Sequence, residues 1–171
     1  MKKLIYLLTV SISLGTMSCG KDGAGGPQDP TGTANVIYSD WMSFRQAQRD
    51  TVVDGTNLKI NHIPAPQLTQ AHIDNGTLMV YMQHQTNVYP LPYTSDAGSG
   101  NMASTISFIA KPSVIYVTRY THDNSASLGF SPALQFRYII IPGGVTAKSA
   151  QLENINLQDY GAIRTALNIE D

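Results

Sequence analysis

The chain has one cysteine, one tryptophan and little charge. Cys19 is the sole thiol in 171 residues, and Lys, Arg, Asp and Glu together make up 13%. A lone cysteine excludes an internal disulfide and leaves no thiolate set for zinc. The formal charge is −1, and no basic run exceeds Lys2-Lys3. Nucleic-acid binding needs clustered Lys and Arg to displace counterions, so nucleic acid is not an expected partner. What the chain does have is 42% hydrophobic residues. Its length suits one domain with a real core and hardly two, and its composition is the reverse of a disordered chain's.

The first eighteen residues differ from the rest. Lys2 and Lys3 precede an apolar stretch at 4–14 (LIYLLTVSISL). That stretch is too short to cross roughly 30 Å of hydrocarbon as a helix, but it suits a secretory signal. Small residues lead to Cys19, which resembles the lipidated cysteine of a bacterial lipoprotein signal. Thr16 stands where the usual lipobox has an aliphatic residue, and Gly20 follows the cysteine. The alternative is a plain secretory signal that leaves Cys19 as an unpaired thiol. Lipidation accounts for the cysteine, and the outer membrane is the expected address. Removal of residues 1–18 takes away two lysines and leaves nine basic against twelve acidic residues, net −3.

Residues 20–33 hold five glycines and two prolines with no aliphatic or aromatic side chain. They bury too little to offset chain entropy, so 19–33 reads as a lipidated cysteine with a flexible tether. Glycine recurs at Gly20, Gly23, Gly26 and Gly32, with Asp29 breaking the rhythm. A triple helix needs glycine at every third place, so this run is not expected to trimerise by itself. Fully extended, it reaches roughly 45–50 Å.

Residues 34–171 read as a single domain. Alternation predicts strands at 35–41, at 52–53 and 58–60 around an Asp54-Gly55 turn, and at 77–83. In 77–83, Leu78, Val80 and Met82 oppose Met79, Tyr81 and Gln83. Two more strands, 104–110 and 113–121, meet at Lys111-Pro112. In 134–141, Leu134, Phe136, Tyr138 and Ile140 share one face, and the other turns apolar at Ile139 and Ile141. Residues 87–93 read as a proline-interrupted edge segment. Thr69 is a plausible N-cap for one or two helical turns, with Asn75-Gly76 as a left-handed stop. Tyr160, Ile163 and Leu167 mark a short amphipathic helix capped by Asp159. The expected fold is an all-β antiparallel sandwich of about seven or eight short strands with a short C-terminal helix.

The phrases "GTANVIYSDW", "IDNGTLMVYMQ", "LPY", "FRYIIIPGG" and "DYGAIRTALNI", in their order and spacing, resemble a family of small Bacteroidetes lipoproteins. In these a Gly/Pro-rich, sometimes collagen-like stretch precedes a compact β domain. The resemblance spans about Cys19 to the C-terminus. It implies a cell-envelope location and brings no activity, cofactor or catalytic residue.

Motifs for chemistry are sparse. His62, His72, His84 and His122 have no partners at metal-ligand spacing, so no metal is expected; His62, in phase with Leu58 and Ile60, reads as a half-buried, hydrogen-bonded side chain. No G-x-S-x-G elbow and no phosphate loop is present. Asp96, Asp123 and Asn124 are explained by turn chemistry without a Ca²⁺ loop. The candidate ligand-binding residues are Trp41, Tyr81, Tyr89 and Tyr93, whose rings would stack on sugars if exposed. Core packing with a wet tip is the competing role for each. The expected protein is non-enzymatic and lipid-anchored, with the membrane and an envelope protein or glycan as partners and no cofactor. The second reading is a carbohydrate-binding module of a polysaccharide-uptake system.

Overall fold

Both faces of the strand at 135–141 are apolar at some point along its length, so it needs a cover on each side. The computed structural model, which describes residues 36–96, 102–125, 128–143 and 154–170, supplies both. The expectations for the signal at 1–18, for Cys19 and for the tether at 19–33 lie outside the described residues. Along the chain come β1 (Ile37–Tyr38), β2 (Arg49–Val53), β3 (Thr56–Ala65), α1 (Gln70–Asn75) and β4 (Thr77–His84). They are followed by β5 (Asn87–Pro90), β6 (Tyr93–Ser95), β7 (Ser104–Lys111), β8 (Ser113–Thr121), β9 (Gln135–Ile141) and α2 (Tyr160–Ala166).

The strands form two sheets, β1-β9-β4-β5 and β2-β3-β8-β7-β6, with every neighbouring pair antiparallel. The fold is an all-β sandwich. Its inner core takes Val80, Met82, Phe136, Tyr138 and Ile140 from one sheet and Ile63, Ile106, Ile115 and Val117 from the other. These are the in-phase positions that alternation assigns to one face. No described helix is long and apolar enough to cross a membrane.

The described residues hold nine strands rather than seven or eight. The extra one arises at 87–93, which is not a single edge segment. Its first half, β5, borders the four-stranded sheet and its second half, β6, borders the five-stranded one, with the cis Leu91–Pro92 peptide between them. The first predicted strand is shorter than expected. Tyr38 pairs with Ile139 and Met42 bridges to Phe136, so four steps on one strand oppose three on the other. That extra residue is a bulge. It puts Trp41 out of phase with Ile37, whose face strict alternation would give it: Ile37 packs on the inner core, while Trp41 packs on the opposite side of the sheet.

Turn chemistry follows the sequence with one exception. Asp54 and Gly55 both adopt positive φ (48° and 78°) in the two-residue hairpin joining β2 to β3, as a primed turn requires. Thr69 caps α1, its Oγ1 accepting the His72 N–H at 3.2 Å. Gly76 is not left-handed, since its φ is −101°. Glycine is needed there because a Cβ would sit 2.7 Å from the carbonyl oxygens of His72 and Ile141.

The second cover is α2. Asp159 caps it by accepting the Ala162 N–H at 3.1 Å, and Ile163 is fully buried against Tyr81, Ile139 and Ile141. Burial of each such isoleucine contributes about 1.5–3 kcal/mol. Arg137, on this same face of β9, is 1% exposed. Its guanidinium donates to Tyr160 Oη at 2.6 Å and to the Glu170 carbonyl at 3.1 Å. It also lies 5.2 Å from the Trp41 ring centre and 5.7 Å from that of Tyr38, within cation–π range.

Replacing Arg137 by Ala strips these contacts and empties the fully buried space that its side chain fills beneath Trp41 and Tyr160. We expect a loss of about 3–5 kcal/mol in urea unfolding. Hydrogen exchange of the Tyr160–Ala166 amides should accelerate ahead of that in β7 and β8.

Candidate functional site

In an antiparallel ladder, residues directly opposite one another share a face. Across the five-stranded sheet, Tyr93 pairs with Ile106, Ile106 with Arg119 and Arg119 with Lys59. Across the four-stranded sheet, Tyr89 pairs with Met82 and Met82 with Phe136. Both rows face the sandwich interior. Two residues further along, the five-stranded sheet presents Ser95, Ser104 and Thr121 in register. The interior therefore changes along its length, from Ile115 and Val117, through Arg119, to a row of hydroxyls. At the polar end lies a cavity of about 330 Å³, whose lining includes Met82, His84, Tyr89, Tyr93, Arg119 and Leu134.

The sheet-crossing segment explains the two tyrosines. Tyr89 lies one residue before Pro90, which ends the ladder on one sheet, and Tyr93 begins it on the other, so their rings meet where the sheets part. The ring centres are 4.6 Å apart at a 40° tilt, an offset pairing typical of aromatic contacts. Both rings are half-buried at the cavity wall, apolar in body with a polar tip.

Arg119 is 8% exposed. Ser104 Oγ accepts from its Nε at 3.3 Å and from a terminal nitrogen at 3.0 Å, and the Gly129 carbonyl accepts from the other at 2.7 Å. Burial lowers its pKa from the usual guanidinium value. Arginine nonetheless stays protonated in proteins, so the cavity wall carries a positive charge. Sequence reading passed over this residue. The signal was its phase: Ile115, Val117, Arg119 and Thr121 alternate inward, which puts a cation where a core side chain is expected. His84 and Ser95 gave no comparable signal, because only the pairing of the sheets brings them to the cavity.

The four aromatic candidates do not form one site. Tyr89 and Tyr93 come together at the cavity. Tyr81 is fully buried beneath α2 and is not available to a ligand. Its phase in β4 pointed away from the inner core, but the second cover closes over that face. Trp41 lies by β1, at the opposite edge of the four-stranded sheet from Tyr89. Its ring covers Arg137 and meets Tyr160 edge-on with centres 5.8 Å apart. A broader groove of about 660 Å³ beside it also involves Tyr38, Arg45, Gln67 and Tyr138. Burial raises the pKa of Tyr138, which donates to Gln67 Oε1 at 2.9 Å.

The histidines are dispersed. His62 packs half-buried on Tyr116 with ring centres 5.9 Å apart; His72 belongs to the α1 cap. His122 Nε2 lies 2.8 Å from Thr105 Oγ1. Among the described residues no three His, Cys, Asp or Glu side chains converge as metal ligands. Asp123 accepts the Ser125 N–H at 3.0 Å, and hydrogen bonds from Ser125 hold its carboxyl below the usual range. Asn124, at φ 56°, ties this turn to the β2–β3 hairpin by accepting the Asn57 N–H at 2.8 Å and donating to the Gly55 carbonyl at 3.2 Å.

No family model matches the chain, and no curated protein or solved structure matches it either.

Tyr81 yields a pH prediction. Burial first, then the neighbouring Tyr160 and Asp159, push its phenol from 10.0 to about 12. A raised folded pKa means this contribution to stability is intact below pH 10 and is lost as pH rises through about 12. In a spectrophotometric alkaline titration, one tyrosine should ionise near pH 12, and Tyr81→Phe should remove that late component.

Proposed function

We propose that this chain is a non-enzymatic, lipid-anchored protein of the bacterial outer membrane that binds a glycan between its two sheets. The signal-like segment, Cys19 and the tether support the anchor, as does the resemblance to small Bacteroidetes lipoproteins. The observation that carries the binding reading is the Tyr89–Tyr93 pair at the wall of the 330 Å³ cavity. That volume lies within the roughly 300–1,000 Å³ of small-molecule sites. Sugars present C–H faces to aromatic rings and hydroxyls to polar rims, and this lining offers both partners. Its rings, hydroxyls and guanidinium are groups that hold a ligand, so the reading is of a binding protein rather than an enzyme.

Two measurements test this reading. On a glycan array the protein should retain at least one ligand, and Tyr89→Ala or Tyr93→Ala should weaken that binding by about tenfold. Trp41→Phe, in the Arg137 cover, should leave it unchanged. An array without a hit overturns the binding function. Separately, Cys19→Ala should abolish fatty-acid labelling and membrane partitioning in cells; continued labelling would refute the anchor.

A further inference from the structure

We propose that this protein takes an oligosaccharide rather than a single sugar, with a second unit held by Gln46 and Phe44 in an adjoining cavity. This inference rests on the glycan reading and specifies the length of glycan that is chosen.

Three observations carry it. First, a second cavity of about 250 Å³ adjoins the first, and Ser131 and Leu134 line both. Each cavity is small beside the roughly 300–1,000 Å³ of small-molecule sites, so a ligand that occupies both gains wall that neither offers singly. Second, the ridge between the cavities is low and held in place. The turn at 131–134 contributes to both linings, and its Ser131, Pro132 and Ala133 are exposed. The Leu134 N–H donates to the Ser131 carbonyl at 3.2 Å and the Ala133 N–H to Ser131 Oγ at 3.3 Å. Gln48 anchors the residue before this turn. Its Oε1 accepts the Phe130 N–H and its Nε2 donates to the Phe130 carbonyl, both at 2.8 Å. A glycosidic link can pass over such a ridge, and little ordering is left for binding to impose.

Third, the second cavity repeats the two kinds of surface found in the first. Phe44 and Phe130 supply rings, with centres 5.0 Å apart, and Phe44 is half-buried. Gln46, also half-buried, supplies a polar tip. Its Nε2 donates to the His62 carbonyl, and its Oε1 has no partner among the described residues. A primary amide has a second N–H beside that carbonyl, so it offers one donor and one acceptor together. Two neighbouring hydroxyls of a pyranose match that pair, one accepting and one donating. The described lining of this cavity holds no charged side chain, so a sugar enters it without desolvating an ion.

A glycosidic bond couples the two cavities. Once one unit rests against Tyr89 and Tyr93, the next is confined near Gln46 and Phe44 at high effective concentration. Affinity therefore rises with chain length until both cavities are filled, and then levels.

An array carrying gluco-, manno-, galacto-, xylo- and N-acetylhexosamine glycans of one to four units tests the inference on the full-length protein. Calorimetry then gives the affinity for each length in the series that bind. The expected result is a gain of at least about tenfold from one unit to two or three, with little further gain at four. Ala47→Trp places an indole in the second cavity from an exposed position and removes no side-chain hydrogen bond. It should erase the gain with length and leave single-unit binding unchanged, whereas Tyr93→Ala should weaken every length. The unfolding midpoint of Ala47→Trp reports its folding, and Ala47→Leu gives a smaller obstruction should the indole disturb it. Equal affinity for one and several units, or a gain that survives both Ala47 variants, would overturn the second subsite and leave the glycan reading standing. No binding to any glycan would overturn both.

Discussion

Strand β9 has to be covered twice, and the sandwich is arranged around that requirement. Phe136, Tyr138 and Ile140 belong to the inter-sheet core, whereas Ile139 and Ile141 on the reverse face belong to the core under α2. Arg137 lies on that reverse face as well, and a bare cation could not be buried there. It is buried because the rings of Tyr38 and Trp41, the Tyr160 hydroxyl and the Glu170 carbonyl close around it. The same contacts hold α2, which is too short to be stable on its own propensity. One guanidinium thereby ties the first strand, the last strand and the C-terminal helix together. The bulge before Met42 is part of this arrangement, since without it Trp41 would point into the inner core.

The cavity is a consequence of how the chain changes sheets. Leu91 and Pro92 carry it from Pro90, the last residue of β5, to Tyr93, the first of β6, and neither proline offers a backbone donor there. The edges are thus linked but not zipped together, and a tyrosine at each end walls the gap. Where the strands continue past this point, the inward row becomes Ser95, Ser104 and Thr121. The packing that fills the middle of the sandwich is not repeated at its polar end.

Much of the fold was legible in the sequence because period-two alternation was strong where burial was one-sided. Residues 104–110 and 113–121 became β7 and β8 with nearly the expected ends, and Thr69 and Asp159 both cap helices. What failed did so for reasons that a local pattern does not encode. The bulge at 39–41 adds one residue and flips a phase. The sheet switch at Leu91-Pro92 looks the same in sequence as an interrupted edge strand. Gly76 announces a left-handed stop but serves a close backbone approach. Of the aromatic set, Tyr89 and Tyr93 meet at the cavity, Trp41 lies by a separate groove and Tyr81 is buried. Tyr81 looked exposed because its phase opposes the inner core, and nothing local reveals that a helix eighty residues later covers it. Tyr89 and Tyr93 were found for their ring type alone, and the cation beside them went unremarked.

The two nearly buried guanidiniums, Arg119 inside the sandwich and Arg137 on the reverse face of β9, show what separates support from site in this fold. Arg119 and Arg137 each sit in a central strand, nearly fully buried, at a position where alternation calls for an apolar side chain. Neutral oxygens accept from both, Ser104 Oγ and the Gly129 carbonyl at Arg119, Tyr160 Oη and the Glu170 carbonyl at Arg137. They differ in what lies beyond those oxygens. Over Arg137 stand two aromatic rings and a docked helix, so its charge is used in holding the protein together. Beside Arg119 stand a row of hydroxyls and an open cavity walled by two tyrosines. Both residues carry the same cost of removing a charge from water. At Arg137 the covering structure offsets that cost wholly within the fold. At Arg119 the Ser104 hydroxyl and the Gly129 carbonyl share in that compensation at the wall of a cavity, so the same device serves a boundary of the core instead of its closure.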